Sequence, residues 1–328
     1  MAPRTRARAL AALWATFTAS AVAQDANVGY VEVASDVRLH YRVVGNGGVG
    51  SDTWIVPAAA WLYPALAPLA EEHRVVFYDT RGRGRSDPVE RDEDLSFWLD
   101  VADLEFLQDA LEIDTAWLVG WSYLGAVAGR YAIDHPQRVT GLVLISPLGP
   151  RALTPDEVPP PAEDEAGEKE LERMRNQGLD VREPAAYCRA ENELFIRTRV
   201  PNEQARLRVH LPCDLPNEWS RNVARVFARI GESLGSWDWR TEARDTAMPV
   251  LVIVGSHELQ VASREWAESL PNATLVVLPR VGHFPWVEDP VRFFDVVGAF
   301  SGDRSSQSSE RAPCPRERIA VRRYASLD

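Results

Sequence analysis

The sequence holds little of what metal-binding, nucleic-acid-binding and membrane-spanning proteins need. Only 3 cysteines occur among 328 residues, and no CxxC pair or His/Cys cluster has the spacing of a metal site. The formal net charge is −12, which argues against nucleic-acid binding, because such proteins present a basic patch. Beyond the amino terminus no apolar run is long enough to cross a bilayer. We therefore expect no metal, no cofactor, no nucleic acid and no membrane span in the mature chain.

The few cysteines leave one pairing open. Cys188 and Cys213 lie in the same region of the chain, and Cys314 is far from both. An exported protein tolerates disulfides, so Cys188 and Cys213 could be bridged. Two buried free thiols are an equally good interpretation, because sequence alone does not establish a pairing.

The amino-terminal segment predicts export. Three arginines precede a short apolar run, and the segment closes on Ala21-Val22-Ala23. A basic start, an apolar run and a small-x-small ending are typical of a secretory signal peptide, here residues 1–23 with cleavage before Gln24. The apolar run is shorter than the ~20 residues of a membrane anchor. We expect a secreted or periplasmic protein.

Short β-rich runs alternate with helical patterns along most of the chain. The later runs are continuous in Val, Ile and Leu, as expected of parallel strands buried on both faces. Two antiparallel-looking strands followed by strand–helix alternation predict an α/β fold with a mostly parallel, eight-stranded sheet flanked by helices. The predicted strands are Tyr30–Ala34, Arg38–Val43, Thr53–Val56, Arg74–Tyr78, Ala116–Val119, Thr140–Ile145, Val250–Val254 and Thr274–Leu278.

The alternation is interrupted between Gly149 and Met248. A loop of about 100 residues inside a compact domain is improbable, and this segment is helical in character and carries many apolar residues. We therefore predict an inserted helical cap at residues 150–247, above a core formed by 24–149 and 248–300. Residues 301–328 are polar and predict a disordered tail. The predicted cap helices are Lys169–Gln177, Pro184–Arg197, Asn202–Leu207 and Glu218–Leu234.

The strongest functional pattern is the run Gly120-Trp121-Ser122-Tyr123-Leu124-Gly125. It follows an apolar run and opens an alanine-rich segment, which predicts a strand, a tight turn and a helix. A serine on such a turn forms a nucleophile elbow, where its hydroxyl is exposed at the sheet end and backbone N–H groups meet the oxyanion. The usual pattern is Gly-x-Ser-x-Gly. Here Leu124 holds the second glycine's position, and Gly125 comes one step later.

A serine nucleophile needs a base and an acid that orients the base. His283 follows the last predicted strand, and the glycine before it lets the loop approach the serine closely. Glu258 follows the strand Val250–Val254 and precedes His283, which gives the chain order serine, acid, histidine. The sequence therefore predicts a triad of Ser122, His283 and Glu258.

Backbone donors and aromatic side chains complete the predicted site. Tyr123, the residue after the nucleophile, is expected to donate one N–H to the oxyanion. Ala59, in the loop after Thr53–Val56, is the first choice for the other N–H and Ala60 the second. For the aromatic residues the alternative is core packing. Those expected to line an apolar substrate pocket beneath the cap are Trp61, Trp121 and Trp286.

A Gly/Arg-rich run beginning at Asp79 follows another predicted strand and at first looks like a phosphate loop. It lacks the lysine–hydroxyl pair of a P-loop and is not a Gly-x-Gly-x-x-Gly run that opens a helix. We predict a structural turn in which Asp79 and Arg81 are bonded to neighbouring backbone.

Four motifs together resemble the α/β-hydrolase fold family, and most of all its capped branch with prolyl-aminopeptidase-like and esterase-like members. The serine excludes close similarity to the dehalogenases and epoxide hydrolases of this fold, which use aspartate. Three departures stand out: Pro57-Ala58 replaces His-Gly before the oxyanion loop, Leu124 replaces a glycine, and Glu258 replaces the usual aspartate. The motifs are residues 120–125, 79–86, 255–258 and 282–284, in the expected order.

These residues predict an exported serine hydrolase that cleaves a small ester or amide through an acyl-enzyme. An esterase is our first hypothesis, and a prolyl-type aminopeptidase is the alternative. Acidic cap residues such as Glu191 and Glu193 would allow a free amine to be held, although a solvated helix face explains them equally. A non-catalytic binding protein that reuses the fold is the third hypothesis, favoured by Pro57-Ala58 and Leu124. The sequence leaves the oligomeric state open.

Overall fold

The computed structural model describes residues 27–45, 52–158 and 164–302, together with the backbone of 322–323. The predicted signal peptide lies outside these residues, and so does most of the predicted tail. Residues 301 and 302 complete the last helix, and Arg322–Arg323 form a short strand. In the described part of the chain, no helix is both long and apolar enough to cross a bilayer.

Eight strands form one sheet in the order β1-β2-β4-β3-β5-β6-β7-β8. The contacts of β2 with β1 and β4 are antiparallel, and all pairs from β4 to β8 are parallel. The two-residue strand β9 (Arg322–Arg323) pairs antiparallel with β8. The predicted mostly parallel, eight-stranded sheet is confirmed. The strands are β1 (Asn27–Ala34), β2 (Val37–Val44), β3 (Thr53–Val56), β4 (Arg74–Tyr78), β5 (Ala116–Trp121), β6 (Val139–Ile145), β7 (Val250–Gly255) and β8 (Ala273–Leu278).

Helices cover both faces of the sheet. Successive residues of a strand point to opposite faces, and β5 shows this directly: Leu118 belongs to one buried apolar cluster and Val119 to another. The first cluster contains residues of α2, α3 and α9, and the second contains residues of α1 and α11. The helices of the core are α1 (Ala59–Leu66), α2 (Phe97–Ala110), α3 (Tyr123–Asp134), α9 (Val261–Ser269), α10 (Pro285–Glu288) and α11 (Pro290–Gly302).

Five helices lie between β6 and β7, where the sequence predicts the cap. A disulfide joins Cys188 to Cys213, with Cα atoms 5.8 Å apart, so of the two interpretations left open the bridged one holds. The bridge ties the longest described cap helix, which carries Cys188, to the segment that leads into the last one. These helices are α4 (Glu165–Asn176), α5 (Leu179–Arg182), α6 (Pro184–Arg199), α7 (Glu203–Arg206) and α8 (Ser220–Leu234).

Candidate active site

Ser122 occupies a strained turn between β5 and α3. Its φ and ψ are 55° and −126°, a region that a residue with a side chain rarely adopts. Strand and helix pass so closely that a Cβ on Gly120 would lie 2.6 Å from the Cα of Gly125. Gly125 therefore provides the close approach for which the usual pattern places glycine at position 124. The elbow is complete although its second glycine is displaced by one residue.

Glu258 and His283 follow the neighbouring strands β7 and β8, whose carboxyl ends lie at the same edge of the sheet as the elbow. Nδ1 of His283 is 2.8 Å from Oε2 of Glu258, and the two side chains are only 10% and 9% exposed. Ser122 and His283 both line one cavity, without a hydrogen bond between their side chains among the described contacts. Such bonds often tighten only when substrate binds.

The backbone of His283 is held by both the core and the cap. Its N–H donates to the carbonyl of Arg199 at the end of α6, at 3.1 Å. Its own carbonyl accepts a hydrogen bond from Nε1 of Trp121 at 3.1 Å. A Cβ on Gly282 would lie 2.1 Å from the Arg199 carbonyl, so glycine is needed at that position for the loop to reach α6.

Glu288, which belongs to none of the sequence motifs, holds the same loop in place. Its Oε1 accepts hydrogen bonds from the backbone N–H groups of Gly282 (2.9 Å) and Phe284 (3.3 Å), on either side of His283. Burial raises the pKa of Glu288 to about 7, against the opposing effect of these two hydrogen bonds. The residue acts on the base through the backbone.

The structure separates the two candidates for the second oxyanion donor. The N–H of Ala60 donates to Oδ1 of Asp79 at 2.7 Å, so it is committed to that carboxylate. Ala58 adopts a left-handed conformation with φ of 55°, and helix α1 begins at the next residue, Ala59. Ala59 stays the first candidate for the second donor, and its role remains a prediction. Tyr123 is the first residue of α3, a position whose N–H has no partner within its helix.

A cavity of about 410 Å³ lies between the elbow and the cap. It contains Ser122, Tyr123 and His283 from the core, and its cap wall comes from α6 and α8. Two half-exposed phenylalanines, Phe195 (37%) and Phe227 (43%), stand at its mouth. Its other main lining residues are Ala58, Trp61, Thr80, Arg83, Trp121, Leu124, Glu191, Asn192, Glu218, Val223, Val226 and Ile230.

Trp286 does not line this cavity, contrary to the prediction from sequence. The chain turns into α10 directly after Phe284, which carries the Trp286 side chain into the core behind Trp121. Its ring packs edge-on against Trp121 with centroids 5.2 Å apart, and the residue is 4% exposed. It borders a separate small cavity of about 100 Å³ that shares only Trp61 with the larger one.

Glu218 is a buried cavity residue that the sequence did not reveal. It accepts hydrogen bonds from Nε1 of Trp61 (2.9 Å), from the guanidinium of Arg83 (2.8 and 3.1 Å) and from the N–H of Gly84 (2.7 Å). Burial opposes its ionisation, but the charge and hydrogen bonds of Arg83, with those of Trp61 and Gly84, lower the pKa of Glu218 below its ordinary value. The contact joins the cap to the turn after β4.

That turn has the structural character expected of it. Asp79 accepts hydrogen bonds from the N–H groups of Ala60 and Arg85. Arg81 donates to the carbonyl of Asp94 and forms a buried ion pair with Asp103. The charges of Asp79, Arg81 and Arg83 are thus engaged by neighbouring protein groups.

A second buried carboxyl lies behind the elbow. Oδ2 of Asp100 accepts a hydrogen bond from the hydroxyl of Tyr123 at 2.7 Å, and its Oδ1 is buried without a partner. Burial, followed by the neighbouring charge of Asp103, raises the pKa of Asp100 to about 7. Within the described residues no group of three or more His, Cys, Asp or Glu side chains is arranged to hold a metal ion.

The model of the alpha/beta hydrolase fold family matches residues 45–290 of this sequence. The chain belongs to the α/β-hydrolase fold family. Proline iminopeptidase of Heyndrickxia coagulans is 25% identical over 279 residues, which cover 79% of this chain and 89% of that protein. 2-Hydroxymuconate semialdehyde hydrolase of Pseudomonas sp. (strain CF600) is 27% identical over 290 residues, covering 83% and 93%.

A solved structure shares the same fold. The esterase RhEst1 from Rhodococcus sp. ECU1013 has a TM-score of 0.63, 23% sequence identity, and coverage of 84% of this chain and 98% of that one. The resemblance read from the motifs is confirmed, including relatives of both the iminopeptidase and the esterase kind. These relatives support a hydrolase, and family membership favours a small-molecule substrate for this α/β-hydrolase.

Proposed function

We propose that this α/β-hydrolase is a serine hydrolase that cleaves a small ester through an acyl-enzyme. The observation that carries the proposal is the Glu258–His283 pair, 2.8 Å apart, at the edge of the cavity that also holds the strained Ser122. A carboxylate on Nδ1 fixes the imidazole tautomer and leaves Nε2 to accept the serine proton.

The reaction proceeds in two balanced steps. Ser122 Oγ attacks the carbonyl carbon while His283 takes its proton, and the oxyanion is met by the N–H groups of Tyr123 and Ala59. His283 then protonates the leaving alcohol as the ester C–O bond breaks. Water, deprotonated by His283, then attacks the acyl-enzyme carbonyl carbon. The bond from that carbon to Ser122 Oγ breaks, His283 returns the proton to Oγ, and the carboxylic acid is released.

Labelling with a fluorophosphonate tests this proposal. We expect one covalent adduct per chain, located at Ser122 by peptide mass spectrometry and absent from Ser122→Ala. Ser220 also lines the cavity, so Ser220→Ala is the matched control and should keep the label. An unreactive Ser122 in folded protein would instead support the non-catalytic binding protein.

Glu191 supports the aminopeptidase alternative. Its side chain lines the cavity, and no ion pair within 4.0 Å engages it in the described part of the chain, whereas Glu193 lies on the exposed face of α6. A cavity carboxylate without a close ion pair could hold the amine of a peptide substrate, although Arg175 already interacts with Glu191 electrostatically. We rank the ester first because most of the cavity wall is apolar. Turnover of proline-naphthylamide without turnover of p-nitrophenyl esters would reverse this order.

Export remains part of the proposal. The basic, apolar and small-x-small order of residues 1–23 supports it, and so does the Cys188–Cys213 bridge, because disulfides persist in oxidising compartments. Expression of the full chain in a bacterial host, followed by amino-terminal sequencing of the exported fraction, should give a mature protein that begins at Gln24. Uncleaved protein confined to the cytosol would contradict this.

A further inference from the structure

Leu124 occupies the position where the usual elbow has glycine, yet close packing does not require a glycine at this position. Glycine is required instead at Gly125, where a Cβ would lie only 2.6 Å from Cβ of Pro147. Leu124 is also absent from the residues with positive φ, so its backbone is ordinary helix. Position 124 is therefore open to a side chain, and the side chain it carries is a large apolar one.

The Leu124 side chain lines the cavity opposite one face of α8. Val226 and Ile230 lie four residues apart, on the same face of that helix, and both line the same cavity. All three are deeply buried, at 9%, 2% and 6% exposure, in contrast to Phe195 and Phe227 at the mouth. We take these three buried aliphatic side chains to mark the closed end of the cavity, and the two half-exposed phenylalanines to mark its open end.

The position of the base assigns the two halves of an ester to the two walls. His283 must protonate the leaving group, so the alcohol lies on its side of the serine. Phe195 of α6 contacts His283, with ring centroids 6.1 Å apart. Phe227 of α8 instead contacts Tyr123, at 5.7 Å. The acyl chain is therefore directed toward α8 and the closed end.

Charge at this site does not alter that assignment. The cavity carboxylate nearest in sequence to α8 is Glu218, which is paired with Arg83. The carboxylate Glu191, which interacts electrostatically with Arg175, belongs to α6, on the side of the leaving group. The closed end therefore offers dispersion contacts to methylene groups and no partner for a charged acyl group.

Resting on the proposed serine chemistry, we infer that Leu124, Val226 and Ile230 form the closed end of an acyl pocket, in which Leu124 limits the length of a straight aliphatic chain. Truncation of Leu124 lengthens the pocket, and a larger residue shortens it. One methylene in such a pocket changes discrimination by roughly tenfold or more.

The test compares kcat/KM for p-nitrophenyl acetate, butyrate, hexanoate and octanoate. In Leu124→Ala the octanoate-to-butyrate ratio should rise about tenfold, and in Leu124→Phe it should fall. Leu234→Ala is the matched control: Leu234 lies on α8, one turn beyond Ile230, is 8% exposed and belongs to the same apolar cluster, but it does not line the cavity. This variant should lose a similar amount of thermal stability and keep the wild-type ratio.

Two comparisons make the result decisive. In a series of acetate esters with lengthening alcohols, the ratio of kcat/KM for long and short alcohols should be the same in wild type and in Leu124→Ala. A change in this ratio as large as that seen with the acyl series would overturn the assignment of the pocket to the acyl chain. An unchanged octanoate-to-butyrate ratio in Leu124→Ala would overturn the role of Leu124. If that variant does not fold, Ile230→Ala is judged by the same criterion.

The failure of the proposed function would be seen separately. Wild type would then neither hydrolyse esters nor take up a phosphonate at Ser122. Titration of the tryptophan fluorescence with butyrate and octanoate still tests the pocket. Leu124→Ala should strengthen octanoate binding relative to butyrate about tenfold, and an unaltered ratio of the two dissociation constants would count against the inference.

Discussion

Glu258 and His283 meet across the ends of two adjacent parallel strands, with Oε2 of the glutamate 2.8 Å from Nδ1 of the histidine. The extra methylene of glutamate, compared with the aspartate usual at this position, is accommodated by the turn that follows β7. This turn is fixed by the N–H of Glu258, which donates to the Gly255 carbonyl, and by that of His257, which donates to the Val281 carbonyl. The acid is thus held against the loop that carries the base.

We expect Glu258→Gln to lower kcat about a thousandfold or more with little change in stability. The amide can donate to Nδ1 and so favours the tautomer whose Nε2 carries the proton, which cannot accept the serine proton. The measurement is steady-state hydrolysis of p-nitrophenyl butyrate. His257→Gln, at the exposed neighbouring residue, is the control and should retain wild-type kcat. A similar loss of kcat in both variants would show that activity depends on the conformation of the turn and not on the Glu258 carboxylate.

Gly125→Ala should destabilise the fold by about 1–3 kcal/mol or more, the usual cost of overpacking. The new methyl group would lie 2.6 Å from Cβ of Pro147, which is buried in the segment after β6. Gly231→Ala is the matched control in α8, where an added Cβ meets nothing within 4 Å. It should gain about 0.5–1 kcal/mol from helix propensity. Urea unfolding measures both, and a stable Gly125→Ala would refute the displaced-glycine account of the elbow.

Asp100 should make the protein less stable as pH rises toward neutrality. Its pKa in the folded state is raised to about 7 from the ordinary value of 3.8, mainly by burial. The folded state therefore holds a proton that the unfolded chain has already lost, and the free energy of unfolding falls between about pH 4 and about pH 7. Glu288, with its pKa also raised to about 7, adds to the same slope.

Asp100→Asn should reduce that slope, as measured by urea unfolding at about pH 5 and about pH 8. Asp87 should change the free energy of unfolding with pH in the opposite direction, because the hydrogen bond from Arg38 lowers the pKa of Asp87. The stabilisation from Asp87 is present at neutral pH and is lost on acidification. Asp87→Asn should therefore alter the free energy of unfolding only in its dependence on acidic pH. An Asp100→Asn variant with the wild-type slope would contradict the assignment.

Loss of the Cys188–Cys213 bridge should lower the free energy of unfolding by about 3–4 kcal/mol, because the unfolded chain regains conformational entropy. The bridged cysteines are separated by 25 positions in the sequence. The double variant Cys188→Ser/Cys213→Ser and wild type with reductant should show the same lowered melting temperature. Asn192, whose amide contacts both sulfur atoms, lines the cavity, so KM should rise as well. Cys314→Ser is the control, and a comparable loss there would point to a different pairing.

The contact between Glu258 and His283 could be predicted, because each residue follows a strand and the carboxyl ends of parallel strands meet at one edge of the sheet. Their role in a triad with Ser122 stays a prediction. Position in the chain was then enough to select Glu258 and His283. The start of α1 was not visible in the same way. This helix begins at Ala59, because Ala58 turns the chain in a left-handed conformation, and no glycine marks that turn in the sequence.

Residues whose roles depend on distant partners could not be predicted. Glu218 is an ordinary glutamate before an amphipathic helix until Arg83, 135 residues earlier, pairs with it. The N–H of Ala60 is a plausible oxyanion donor until Asp79 accepts it. Trp286 lies next to the histidine loop in sequence, yet tertiary packing places it behind Trp121. Local pattern carries no information on any of these contacts.

The two backbone hydrogen bonds of His283 determine how substrate can reach the serine. Moving α6 away to open the cavity would withdraw the Arg199 carbonyl from the His283 N–H and disturb the base. Rotation of the half-exposed Phe195 and Phe227 side chains opens a passage at far lower cost, on the picosecond-to-nanosecond timescale. The base proposed for this site thus stays assembled while substrate enters and product leaves, and both movements are decoupled from movement of the cap backbone.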